Sequence, residues 1–169
     1  MRRFLPDFRM ETYREIDETF LRDHHVRALI LDIDNTLEPY ENPEPGEGVL
    51  SWFAMLRTAG VRVAFVSNNE RERVETFNRI LQLPAYWKAG KPMAKTVRQA
   101  LAVLDVPPEN AVLVGDQIFT DVWAAHNAGI RAVLVLPIRD KRDLLTKTKR
   151  LLERPLLHRY DKEHKNDEK

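Results

Sequence analysis

Apolar residues in this chain gather into four short, nearly unbroken runs: Val26 to Ile33, Val61 to Val66, Ala111 to Val114 and Ile130 to Leu136. Runs of this kind predict strands covered on both faces, because a half-exposed strand alternates with period two. Ala85 to Trp87 predicts a further short strand. Between the runs the apolar positions shift to helical spacing. Val49, Phe53 and Leu56 share one helix face, closed by Gly60; Val74, Phe77 and Leu81 share a second. Met93, Val97, Leu101 and Leu104 share a third, with Pro92 in its first turn. Strands alternating with helices predict an α/β fold, a parallel sheet with helices on both faces. Such sheets bind ligands beyond the carboxyl ends of their strands, so chemistry is expected just after each run.

The residues found there are polar and acidic. The first run ends in Asp32-Ile33-Asp34-Asn35-Thr36-Leu37. Period two places Asp32 and Asp34 on the same side, where two carboxylates repel and call for a cation or a shared proton. A solvated acidic loop or a helix cap is the plainer alternative. The second run ends in Ser67-Asn68-Asn69, whose hydroxyl and amides can donate to phosphate oxygens or cap the helix that follows. Gly90-Lys91-Pro92 offers a lysine that can neutralise a phosphoryl group, although surface lysines are common. The Ala111 run ends in Gly115-Asp116-Gln117-Ile118-Phe119-Thr120-Asp121, and Asp121 can also cap the next helix. Each signal is weak alone. Together they put three carboxylates, a serine and a lysine at successive strand ends, a set of hard oxygen donors that suits Mg²⁺. The same set meets the needs of phosphoryl transfer: charge neutralisation, in-line positioning and a proton donor.

In these four motifs and their order the chain resembles the haloacid dehalogenase (HAD) phosphatase superfamily, subfamily IIIA. With the opening Phe4-Leu5-Pro6-Asp7 and the full runs at Leu31 to Leu37 and Gly115 to Asp121, it resembles the YqeG-type branch, related to the phosphatidylglycerophosphate phosphatases of mitochondria and plastids. The resemblance implies a Rossmann-like HAD fold with Asp32 on the central strand. It implies that Asp32 is the nucleophile, Asp34 the proton donor and then the base, and Mg²⁺ the cofactor. The metal ligands it implies are Asp32, Asp116, the main chain of Asp34 and, through water, Asp121. Ser67, Asn68 and Lys91 would hold the phosphoryl group, with Lys91 also steadying Asp32.

Spacing adds that no cap domain is expected. Leu37 and Val49 are 12 positions apart and Asn69 and Lys91 are 22 apart, gaps filled by a loop of Pro and Glu and by one helix with a short strand. An open site favours a large or surface-presented substrate, or a lid supplied by a homo-oligomer. The organisation expected is an N-terminal extension over 1–25, a capless phosphatase domain over 26–140 and a basic amphipathic helix with a frayed tail over 141–169. Arg139 to Arg159 holds eight basic residues against three acidic ones, with Leu144, Leu145, Thr148, Leu151 and Leu152 on one face. Such a helix can lie on anionic lipid or dock its leucines on the domain. His126 is expected on a helix surface, and Trp52, Trp87 and Trp123 in the core or on helix faces, with Trp87 bordering the site as the alternative.

Composition narrows the partners. At 169 residues one domain is expected. A formal net charge of +1 gives no global attraction to nucleic acid, which is not an expected partner. The absence of cysteine excludes disulfides, thiolate zinc sites and cysteine nucleophiles. The first ten residues carry no long apolar run and no segment is long enough to cross a bilayer, so a cytoplasmic location is expected, with peripheral membrane contact through 139–159. The leading expectation is a phosphatase for phosphatidylglycerophosphate. A soluble phosphatase for nucleotides or sugar phosphates, and an RNA- or protein-binding module with a vestigial site, are the alternatives.

Overall fold

The computed structural model describes residues 2–139 and 155–162. Six strands form one parallel sheet in the order β1-β6-β5-β2-β3-β4. They are β1 (Phe8–Met10), β2 (Ala28–Leu31), β3 (Arg62–Val66), β4 (Ala85–Tyr86), β5 (Ala111–Gly115) and β6 (Arg131–Val135). The helices between them are α1 (Glu18–Asp23), α2 (Glu47–Thr58), α3 (Arg71–Asn78), α4 (Lys95–Leu104) and α5 (Trp123–Ala128). After β2 the chain builds outward through β3 and β4, then returns to the other side of β2 for β5 and β6. The order therefore reverses between β2 and β5, which pair directly (Leu31 opposite Val114). A crevice opens at such a reversal because the two crossover connections leave in opposite directions.

The pleat sorts the strand residues into two unlike layers. Leu29, Leu31, Val63, Phe65, Val112 and Val114 face one side and pack with Val49, Trp52, Phe53 and Leu56 of α2 and Val74 and Phe77 of α3. Phe65 meets Phe53 and Phe77 with ring centroids 5.8 and 5.6 Å away, a tilted and an edge-on contact of the kind aromatic rings favour. The opposite side carries Ala28, Ala64, Ala111 and Ala132 among its buried residues, together with Ile30, Val66, Leu113 and Leu134. These smaller residues face α4 and α5, which pack through Val97, Ala100, Leu101, Ala124 and Ala125. Phe65 is, with Phe77, among the largest fully buried side chains, and its loss to alanine costs about 3–5 kcal/mol.

Residues 1–25, expected to be an extension, contribute to this sheet. β1 pairs with β6 in parallel register, and Tyr13, Ile16 and Leu21 are buried in the first layer. Three residues with Arg9 in the middle carry too little apolar periodicity to announce a strand. Two predicted helices also start or stop elsewhere. α3 ends at Asn78, so Leu81 lies beyond it, and α4 starts at Lys95, leaving Pro92 and the exposed Met93 outside it. No inserted cap lies among the described residues. Most of the basic segment 139–159 falls outside them; at its described end residues 155–162 are helical, and Leu156 and Leu157 pack on the second layer. No helix of the described residues is long and apolar enough to cross a membrane.

The N-terminal segment is pinned by one histidine. His126 on α5 meets the Arg3 carbonyl through Nδ1 and the Asp7 carboxylate through Nε2, both at 2.9 Å. Asp7 also accepts the Ala132 amide at 2.8 Å. Phe4 packs edge-on to Trp123, their centroids 5.0 Å apart. The hydrogen bond to Asp7 raises the pKa of His126, against a smaller opposing effect of burial. For Asp7, burial pushes the pKa up, but the bonds from His126 and Ala132 outweigh it and the net change is downward. Asp7 thus stays ionised across the range in which His126 titrates. A raised folded pKa means that the stabilisation is complete below about pH 6.5 and fades as pH rises through the raised value. Melting of wild type and His126→Ala across that range should show a gap that is widest in acid and narrows in base; a gap independent of pH would contradict the charged pair.

Candidate active site

The carboxyl ends of β2, β3 and β5 meet at the reversal, and the polar residues that follow them converge there. The Asp32 amide donates to the Val114 carbonyl at 3.0 Å, extending the β2–β5 pairing by one residue and fixing Asp32 beside Asp116. Asn35 then takes a left-handed conformation (φ 62°), which asparagine tolerates, and donates to the Glu38 carbonyl at 2.8 Å. Asp32, Asp34, Ser67, Lys91, Asp116 and Asp121 are all buried.

Lys91 is the hub. Its Nζ donates to Asp32 Oδ1 at 2.7 Å and to Asp121 Oδ1 at 2.6 Å, with the lysine side chain only 2% exposed. Burying a lone ammonium is prohibitive, so the two carboxylates are what allow it to sit there. Burial alone would lower its pKa, but Asp121 and Asp32 more than compensate and raise it above the ordinary lysine value. Asp32 moves the other way from most ion-paired carboxylates. Burial is the largest cause and lifts its pKa to about 6; Lys91 pulls it down, while Asp121 and Asp34 push it up.

The lysine is placed by Asn68. Asn68 Nδ2 donates to the Lys91 carbonyl at 3.1 Å, and its Oδ1 accepts the Lys91 amide at 2.8 Å. Asn68, expected among the phosphate ligands, thus spends one N–H and its Oδ1 on clamping the turn that delivers Lys91. Ser67 differs. Its Oγ accepts the Asn69 amide at 3.1 Å, which leaves its own proton directed elsewhere.

Asp121 sits inside a π-helical turn, Ile118–Val122, that leads into α5. It is therefore no helix cap. Its Oδ2 accepts the Gln117 amide at 3.1 Å, and its side chain lies against Gly115. A β-carbon on Gly115 would collide with the Asp121 carboxyl and β-carbon, which explains the glycine at the end of β5.

Asp34 has partners of its own. Its Oδ1 accepts from Arg73 Nε and its Oδ2 from Asn69 Nδ2, both at 2.9 Å. The sequence reading named neither partner. Asn69 stood in the strand-end motif without a role of its own, and Arg73 is one charged residue among several on α3.

Asp32, Asp116 and Asp121 each offer a carboxylate oxygen, and the three lie within 4.8 Å of one another. Three carboxylates and one lysine leave a net charge of −2, since Asp34 is separately balanced by Arg73. Oxygen donors of this number, with no histidine or sulfur, fit a hard divalent cation of the magnesium type.

A buried Asp-Asp-Asp-Lys cluster at the switch point of a parallel sheet defines a HAD-like hydrolase. The HAD-hydrolase-like family model matches residues 88–152. The Bacillus subtilis (strain 168) protein described as probable phosphatase YqeG is 33% identical over 154 residues, 91% of this chain and 90% of that one. The pyrophosphatase PpaX of Bacillus thuringiensis (strain Al Hakam) is 26% identical over 145 residues, 74% of this chain and 60% of its own length. Among solved structures, CbbY from Rhodobacter sphaeroides in complex with phosphate aligns with a TM-score of 0.56 at 17% identity, over 70% of this chain and 89% of that one, a likeness of fold. The chain belongs to the YqeG family of HAD-type phosphatases.

Gly115→Ala should displace Asp121 and, through it, Lys91. Phosphatase activity is expected to fall by roughly 100-fold, as for a misplacement of about 1 Å, and the melting temperature to drop with it, since the buried ammonium loses part of its carboxylate cage. Unchanged turnover in that variant would show that Asp121 can leave its seat at no cost.

Proposed function

We propose that the chain hydrolyses phosphate monoesters with Mg²⁺, through an aspartyl-phosphate on Asp32. The observation that carries this reading is the buried lysine shared by Asp32 and Asp121, with Asp116 close enough to share a cation with both. An Asp32 oxygen attacks phosphorus and the bond to the leaving oxygen breaks, while Asp34 supplies that oxygen with a proton. Asp34 then takes a proton from water, the water oxygen attacks phosphorus, and the bond to Asp32 breaks to release phosphate. Lys91, with a third N–H to give, and the Ser67 hydroxyl bind the phosphoryl oxygens and offset their charge. A Mg²⁺ held by Asp32, Asp116 and Asp121, with the Asp34 carbonyl, would supply the remaining neutralisation.

The substrate we propose is a phospholipid headgroup ester, phosphatidylglycerophosphate, met at a membrane surface by a peripheral enzyme. Two features support it. The site has no cap over it among the described residues. Five of the large exposed apolar residues, Tyr40, Trp87, Met93, Leu136 and Ile138, follow strand ends or site motifs on this same rim. The Ile138 amide bonds the Asn35 carbonyl at 3.1 Å, which ties that part of the rim to the first motif. Apolar side chains around a polar centre suit insertion among headgroups.

Phosphate release from vesicles carrying that lipid should exceed release from nucleotide or sugar phosphates; preference for the soluble esters would sink the lipid assignment and leave the chemistry standing. Asp32→Asn should lower turnover by about 10⁴-fold or more with little change in melting, since losing the bond to Lys91 is offset by relieving a buried charge. Adding Mg²⁺ to about 100 times its dissociation constant should stabilise the wild type by about 2.7 kcal/mol. Protons compete for Asp32, so this gain should shrink below about pH 6.

A further inference from the structure

Arg73 carries a guanidinium that the chemistry above leaves unused. It projects from α3, whose other arginine, Arg71, is exposed, yet its side chain is only 9% exposed. Nε donates to Asp34 Oδ1 at 2.9 Å and Nη1 to the Pro43 carbonyl at 2.9 Å. Nη2 is buried and has no hydrogen-bond partner among the described residues. The guanidinium lies 5.4 Å from the Phe77 ring centroid and 5.9 Å from that of Tyr40.

A stability role explains this poorly. Buried ion pairs contribute little net stability compared with apolar residues of the same volume. What the pair does supply is orientation. Asp34 is gripped at one oxygen by Asn69, from the loop after β3, and at the other by Arg73, from α3. Two donors on separate elements fix the plane of the carboxylate, which a single bond leaves free to turn. Nη2 lies on the same edge of the guanidinium as Nε, so it stands beside the existing bond as a second donor for the carboxylate that remains once a proton has left. Nη1, on the other edge, holds the loop between Pro39 and Pro45 against the site.

We propose that Arg73 is the positioning residue for the acid–base carboxylate: it fixes Asp34 through Nε, anchors the Pro39–Pro45 loop through Nη1, and thereby sets how well the enzyme expels poor leaving groups. The proposal rests on the reading of Asp34 as proton donor. In the step concerned, the carboxyl O–H bond of Asp34 breaks, the leaving oxygen gains that proton as its bond to phosphorus breaks, and Arg73 bonds the resulting carboxylate.

The test compares two soluble esters. Nitrophenolate departs from p-nitrophenyl phosphate without a proton, whereas the alkoxide of glycerol 3-phosphate needs one. Values of kcat/KM report the step that forms the covalent intermediate. Arg73→Gln and Arg73→Lys, the latter keeping the charge, are assayed beside Asp34→Asn, with melting curves to verify folding. In the Arg73 variants kcat/KM for glycerol 3-phosphate should fall by on the order of 100-fold, the scale of general acid catalysis, while that for p-nitrophenyl phosphate stays within about threefold. Equal losses on both esters in folded Arg73 variants, alongside a split in Asp34→Asn, would overturn the positioning role alone. No split in Asp34→Asn would overturn the proton-donor reading and this proposal with it.

Discussion

The structure turns on one ammonium group placed where no ammonium would go by itself. Lys91 Nζ lies between Asp32 and Asp121, and each of the three groups is buried on condition that the others are present. Much of the surrounding sequence follows from that arrangement. Asn68 exists to hold the lysine's main chain. Gly115 exists to let Asp121 close on the end of β5. The π-helical turn of Ile118–Val122 aims Asp121 inward where an ordinary helix start would have left it at a terminus. Such local departures from regular helix recur at functional sites because they change where one side chain points without moving the rest.

Two charge systems share the crevice and are kept apart. Lys91 serves Asp32 and Asp121, while Arg73 serves Asp34. The separation has a chemical logic. In the roles we propose, Asp32 as nucleophile must stay an unprotonated carboxylate near a cation, while Asp34 as proton donor must be free to change state. Placing their counterions on different elements, a loop for one and a helix for the other, lets one carboxylate change its charge with less effect on its neighbour.

Most of the sheet could be read from the sequence because its strands are buried on both faces and show up as continuous apolar runs. Asp32, Ser67 and Asp116 could be singled out for a related reason: a polar residue ending such a run must have a partner or face solvent, whereas Lys91 and Asp121 stood out only as members of the whole set of motifs. The signal failed where that contrast was missing. β1 is three residues with a central arginine, and it depends on β6 rather than on its own periodicity. Arg73 belongs to a helix with two arginines and two glutamates, where nothing local separates the buried arginine from the solvated Arg71. Asn68 and Asn69 are chemically alike, and only their tertiary neighbours decide that one clamps a backbone while the other holds a carboxylate.

The strand order also bears on how this molecule is made. β2 emerges early in synthesis, and both strands that flank it in the sheet follow it in the sequence, β3 soon after it and β5 far later. A nascent chain that has paired β2 with β3 carries Asp32 at an open edge, with its counterion still several elements away. The carboxylate stays hydrated until the lysine arrives and the β5 strand closes over it. The reactive centre therefore needs chain from both ends of this span, and it can close only after the residues through Asp121 have been made.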